Sequence, residues 1–325
     1  MSHPGRPTRS VEEGLPIVRH WRPPAARLER HGFEQYLTHP GFSYGSLVRG
    51  HDDIAQAVFV TDALVAARWS RRTGKPSVFS YMGIPDHVGL TSRHLRLELT
   101  RFAVRQCTAV TALSHSAADA FRRNLGVRAR VIHPAVDLAA FRPTGERAEE
   151  PTVFCGADLT EPRKRVQLLV DAFTIVRRQR PGAQLVLSKP VDPDVAARFA
   201  REHPEVHLRG VDAREDLARA YSEAWVSVLP SFGEAFGLVL AEALACGTPV
   251  VATNSGGMRE VADSDAISRL FDGDRPEDLA KALLEAFELA EDPRTAGACR
   301  ERARQFSSDR CVERHLELYA ELLAA

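Results

Sequence analysis

The sequence predicts an α/β protein of two domains, each built on a parallel sheet covered by helices. The length of 325 residues, set against about 100 to 200 per domain, leaves room for two cores. From residue 151 onward, short β-rich runs alternate with helical patterns, the layout of consecutive βαβ units. Residues 142–151 are polar and carry two Pro and one Gly, the composition of a linker. The expected organisation is therefore a first domain over 1–147, a second over 148–308, and a closing helix over 309–325 that packs back on the first.

In chain order, residues 15–20, 57–61, 77–81 and 109–113 read as strands, and 116–124 as a helix stopped by Gly126. In the second half the strands are 152–157, 184–188, 206–209, 225–229 and 249–253. Each is too short for a helix and is flanked by Gly, Pro or charge. Val166, Leu169, Val170, Phe173 and Val176 put an apolar stripe on a helix over 166–178. Residues 237–245 are apolar almost all round, which predicts a buried helix that Gly247 ends. Val312, Leu316, Tyr319 and Leu323 give the last helix a stripe that needs a surface to cover.

Composition excludes several classes. With 44% hydrophobic and 26% charged residues the chain is not disordered, and 43 basic side chains balance 43 acidic ones. Zero net charge removes the attraction to polyphosphate that nucleic-acid binding needs, so no nucleic acid is expected as partner. Only four of the basic residues are Lys (Lys75, Lys164, Lys189 and Lys281). The five cysteines are odd in number, lack a C-x-x-C pair and read as reduced thiols. No run approaches the roughly 18 apolar residues of a membrane span, and residues 1–14 have no apolar signal core, so a soluble cytoplasmic protein is expected.

Arg93, Arg96, Arg101 and Arg105 alternate with Leu95, Leu99 and Phe102, a pattern compatible with peripheral contact to anionic lipid. The charge balance favours an ordinary surface helix instead. No metal site is expected. His203 and His207 are separated by the helix breaker Pro204, and the Asp263/Asp265 and Asp272/Asp274 pairs sit near turns, where Asp is common.

The chemistry concentrates in residues 230–249, Pro-Ser-Phe-Gly-Glu-Ala-Phe-Gly-Leu followed by the apolar helix and Gly-Thr-Pro. The stretch follows a strand and opens a helix, where unpaired N–H groups and the helix dipole favour an anion such as phosphate. Gly233 and Gly237 allow sharp turning and close approach of backbone to a ligand. Glu234 sits beside them. Glu242 lies about 7 Å further along the helix axis from Gly237, at 1.5 Å per residue, and can address another part of one elongated ligand. An unpaired buried carboxylate is costly, so Glu242 needs donors: ligand hydroxyls are one source, a salt bridge the other.

This stretch resembles the E-x7-E signature of family-4 glycosyltransferases, whose fold is the GT-B type, two Rossmann-like domains facing a cleft. The resemblance extends to 248–253 with Gly256-Gly257-Met258-Arg259-Glu260, to 273–279, and to Glu161-Pro162-Arg163-Lys164, which is similar to the family's basic diphosphate site. Residues 109–125 with Val136-Asp137 resemble the end of its first domain. It implies a retaining, metal-independent transfer of sugar from a nucleotide-sugar donor to an acceptor that the sequence does not name, without cofactor. By the same resemblance, Glu234 holds donor-sugar hydroxyls, Phe236, Gly237 and Leu238 offer backbone N–H groups, and Glu242 holds ribose. Arg163 and Lys164 neutralise the diphosphate. The base is expected near residues 209–211, around Gly210, an assignment that rests on fold alone.

The chain departs from the family pattern in several places, among them Pro134-Ala135 where Asn-Gly is common before Val136-Asp137. Met82 stands where an active-site His is common, and a thioether cannot shuttle a proton; His87 or Asp86, in the adjoining loop, is the expected substitute. Gly156-Ala157-Asp158 lacks the usual Arg, whose role Arg163 is expected to take. No glycine-rich loop follows a first strand near residues 10–20, so the N-terminal domain reads as shortened. These departures keep a second reading open, a catalytically silent GT-B-like protein that binds a nucleotide or a partner. A phosphorylase or epimerase of the same fold is a third.

Overall fold

In the computed structural model, residues 2–3, 8–12, 14–21, 31–33 and 38–325 are described. They divide into two compact units, Met1–Ile132 with Arg314–Ala325, and His133–Glu313.

The first unit holds two sheets. β1 (Ser2–His3), β2 (Thr8–Glu12) and β3 (Leu15–Trp21) form a small sheet in the order β1-β3-β2, with β2 and β3 antiparallel. The strand read at 15–20 is thus half of a hairpin. β4 (Ala55–Ala57), β5 (Ser77–Tyr81), β6 (Ala109–Ala112) and β7 (Arg130–Val131) form a parallel sheet in sequence order. Ala63, Ala67, Trp69, Phe79, Val110 and Phe121 are among its buried core. Burial overturns local propensity at 57–61: the strand ends at Ala57 and a helix, Val60–Thr73, takes the β-branched pair Val60 and Thr61 into its buried face. The closing helix spans Ser308–Ala324, and within the first unit its Glu321 and Glu317 pair with Arg130 at 2.5 and 3.6 Å.

The second unit is a six-stranded parallel sheet of β8 (Thr152–Cys155), β9 (Gln184–Ser188), β10 (His207–Arg209), β11 (Val226–Leu229), β12 (Val250–Thr253) and β13 (Ser268–Phe271). Helices line both faces, and every residue of β8, β11 and β12 is buried, as expected where a parallel sheet is covered twice. Its core includes Phe154, Leu187 and Val228 from strands, and Phe173, Leu240 and Phe287 from helices. The polar stretch 142–151 is bonded onto this unit: Ala148 N–H donates to Glu223 O at 2.9 Å, and Trp225 Nε1 donates to Ala148 O at 2.8 Å.

The strand order is β10-β9-β8-β11-β12-β13. From β8 the chain moves outward to β9 and β10, then returns to β11 on the other side of β8. The order reverses between β8 and β11, and the loops leaving their carboxyl ends diverge there, where open α/β sheets bind ligands.

Among the described residues, no helix is long and apolar enough to cross a membrane. Cys107, Cys155, Cys246 and Cys299 are buried thiols, and burial pushes Cys107 and Cys155 up to about 11, which keeps them protonated.

Candidate active site

The two loops at the strand-order reversal carry the charged residues singled out above. After β8, Pro162–Lys164 forms a single 3-10 turn, and Arg165, in the left-handed region at φ 50°, separates it from the helix Val166–Gln179. Arg163 and Lys164 therefore do not open that helix. After β11, Phe232 N–H donates to Arg163 O at 2.9 Å and joins the two loops. Glu234 Oε1 accepts from Lys164 Nζ at 2.6 Å and from Arg163 Nη1 at 2.8 Å, while Arg163 Nε also donates to Glu161. Two adjacent cations at a loop tip repel one another, and Glu234 and Glu161 supply the balancing charge.

The helix Leu238–Ala245 starts at Gly237, whose φ of 100° only glycine adopts without strain. No side chain caps this N-terminus, so its first N–H groups form an anion-attracting end beside Glu234. Phe236 is buried and Leu238 half exposed. Gly257 N–H donates to Glu234 O at 3.1 Å, which packs the Gly-Gly turn after β12 against the same loop. Beside it, His133 Nε2 lies 3.4 Å from Glu260 Oε2, with the His133 ring centroid 5.5 Å from that of Phe236.

Glu242 sits on the partly buried side of the helix, and the buried Tyr221 donates its hydroxyl to Oε2 at 3.3 Å. Burial pushes the Glu242 carboxyl up to about 7; the Tyr221 hydrogen bond and the more distant Arg214 charge pull the other way. A carboxyl of this kind takes hydroxyl donors readily, because they replace the water it has lost.

The structure thus brings Arg163, Lys164 and Glu234 into direct contact, with Phe236, Gly237 and Leu238 next along the chain. Glu242 meets Tyr221 instead. Gly210 is exposed just past β10, two strands from β8, and the neighbouring Arg209 is paired with Glu223. His87 belongs to the first unit, exposed as the first residue of the helix His87–Thr91; Asp86 caps that helix, accepting from Gly89 N–H at 2.6 Å. Met82 is 56% exposed just past β5, so it is not a core filler.

Sequence reasoning missed Arg165 and Tyr221. Arg165 lies just before the helix read over 166–178, with nothing in the local sequence to single it out. Tyr221 carried a usable signal, a phenol on the apolar face of the helix Arg214–Glu223, since a buried Tyr hydroxyl needs a partner.

Comparison with known proteins bears on the family and the fold. Residues 3–140 match the family model described as "Glycosyltransferase Family 4", and residues 150–288 match that of "Glycosyl transferases group 1". The chain belongs to the family-4 glycosyltransferases. Within the family, it is 32% identical over 220 residues to a D-inositol 3-phosphate glycosyltransferase of Nocardioides sp., covering 59% of this chain and 48% of that one. It is 34% identical over 192 residues to a protein of the same description from Paenarthrobacter aurescens, covering 54% and 46%. The chain spans about half the length of these curated relatives. Among solved structures, sucrose-phosphate synthase from Thermosynechococcus elongatus superposes with a TM-score of 0.82 at 22% identity, covering 99% of this chain and 87% of that one. Anabaena HepE in complex with UDP-glucose gives 0.73 at 18% identity, covering 94% and 86%. The fold of this family-4 chain is accordingly the GT-B type.

Proposed function

We propose that the protein is a retaining glycosyltransferase that moves a sugar from a nucleotide-sugar donor to a hydroxyl of a small polar acceptor. One observation carries the reading: Arg163, Lys164 and Glu234 meet at the strand-order reversal of the second unit, beside the uncapped start of the helix Leu238–Ala245. Cations and helix N–H groups suit a diphosphate, and the carboxylate suits sugar hydroxyls. The anomeric carbon–oxygen bond to the diphosphate breaks as the bond to the acceptor oxygen forms on the same face. The acceptor's proton passes to the departing diphosphate, whose growing charge Arg163 and Lys164 stabilise. In this scheme Phe236, Gly237 and Leu238 present backbone N–H groups, Glu242 holds ribose, Gly210 borders the base, and His87 is an acceptor-side residue.

The donor is taken to be a UDP-sugar because the structural neighbour HepE is described in complex with UDP and with UDP-glucose. The acceptor is taken to be a phosphorylated polyol because the curated relatives are described as D-inositol 3-phosphate glycosyltransferases. The exposed thioether of Met82 favours a second reading, a protein that binds nucleotide without transfer.

The test is calorimetric titration with UDP-, GDP-, ADP- and TDP-sugars, then product analysis with inositol 3-phosphate in excess chelator. The expected outcome is binding of one donor and transfer that survives the chelator, with Glu242→Ala weakening donor binding and Glu234→Ala chiefly lowering turnover. Wild-type rates in both variants would overturn the reading. Tight nucleotide binding without turnover on any acceptor would support the second.

A further inference from the structure

Resting on the donor-site reading above, we infer that Arg165 is a positioning residue that sets the donor site's geometry without touching the donor. Its guanidinium spans the carboxyl ends of three adjacent strands. Nε donates to Pro230 O, just past β11; Nη2 donates to Thr253 Oγ1 of β12 at 2.6 Å; Nη1 donates to Gly273 O and Asp274 Oδ1, just past β13, at 3.0 and 2.7 Å. The planar cation lies 3.7 Å from the ring centroid of Phe232. The side chain is only 10% exposed, so these contacts leave little of it for a ligand.

The contacts on the β11 and β12 side lead into the proposed site. Pro230 and Phe232 lead into Glu234, Thr253 leads into the Gly256-Gly257 turn, and Arg165 itself directly follows Arg163 and Lys164. One side chain therefore fixes the two cations relative to the carboxylate and the helix start. Only a fork of several donors reaches all four acceptors at once, and a lysine ammonium presents a single point. The backbone is consistent with selection for the guanidinium rather than for a turn. At φ 50° glycine is the unstrained choice, yet an arginine stands there.

The test compares Arg165→Gly, Arg165→Lys and Thr253→Val with the wild type in donor titrations against the four nucleotide sugars and in thermal unfolding. Arg165→Gly relieves the backbone and removes the fork; Thr253→Val removes one acceptor at nearly constant shape. The expected result is donor affinity about tenfold weaker or more in both Arg165 variants, and a smaller loss in Thr253→Val, in protein that remains folded at the assay temperature. Added ethylguanidinium is expected to restore part of the affinity of Arg165→Gly, whereas ethylammonium restores none. A guanidinium salt weakens folding in general, so rescue is the opposite of what a merely structural role would give.

Folded Arg165 variants that bind donor within about twofold of wild type would overturn the inference and leave the donor-site reading standing. So would weakened binding that tracks the unfolded fraction and ignores ethylguanidinium. A wild type that binds none of the four nucleotide sugars would overturn both.

Discussion

Tyr221 donates its hydroxyl to Glu242 at 3.3 Å from a position with no solvent exposure, so the acid's side-chain hydrogen bond comes from a neutral phenol and not from a cation. Burial then governs the acid. With the carboxyl raised from its ordinary 4.5 to about 7, the folded chain holds a proton that the unfolded chain releases. The stability this contributes is complete below 4.5 and is lost as pH rises to about 7. Above that, the loss amounts to about 3 kcal/mol at 1.36 kcal/mol per unit. Urea denaturation at about pH 5 and about pH 8 checks it: the wild type should lose more stability across that interval than Glu242→Gln, which has no proton to give up. Equal losses would remove the assigned shift.

If Glu242 holds the ribose as proposed, the same acid should make donor binding pH-dependent. Ribose hydroxyls donate hydrogen bonds and favour the carboxylate, so donor binding should expel a proton near neutrality, and affinity should strengthen as pH rises through about 7. Titration in two buffers of different ionisation enthalpy measures the proton directly. No release, or release that persists in Glu242→Gln, would place the ribose elsewhere.

Lys164 and Glu234 are each only 14% exposed, which separates their pair from a surface salt bridge of little consequence. Removing Glu234 leaves Lys164 beside the like charge of Arg163, whereas removing Lys164 leaves Glu234 with Arg163 as its one remaining cation in this cluster. A double-mutant cycle on Lys164→Met and Glu234→Gln should give a coupling of about 1 to 3 kcal/mol in chemical denaturation. A coupling within error of zero would mean that water screens the pair, and that the two side chains are free to move independently.

How much of this was legible depends on the range of the interactions. The helix over 166–178 and the strands β8 to β12 were readable because the apolar period is local and β8, β11 and β12 are buried on both faces, whereas β13, which starts with Ser268 and Arg269, was not read. The Glu234 loop was readable because Gly233 and Gly237 mark it. The meeting of Lys164 with Glu234 was not, since it depends on β8 and β11 becoming neighbours across 70 residues of chain. Nor was the start of the helix at Val60, where burial of Val60 and Thr61 overrides a β-rich local sequence. The left-handed Arg165 left no trace in the sequence at all, because the usual marker of that conformation is glycine.

Two glycines of the site should fail differently when changed to alanine. At Gly257 an added Cβ would lie 2.2 Å from Ala235 O and 2.6 Å from Phe236 Cα, both backbone atoms that cannot swing away. Relief requires moving the loop that Gly257 also holds through its N–H bond to Glu234 O at 3.1 Å. Gly257→Ala should therefore cost about 1 to 3 kcal/mol or more and abolish donor binding even where the protein stays folded. At Gly233 a Cβ would meet nothing within 4 Å, and the cost is the strain of an L-residue at φ +65°, about 1 to 2 kcal/mol. Gly233→Ala should lower the melting temperature slightly and keep measurable donor affinity. Calorimetric unfolding and donor titration on the two variants separate crowding from conformation. If Gly257→Ala binds donor as tightly as Gly233→Ala, the Gly-Gly turn does not buttress the Glu234 loop.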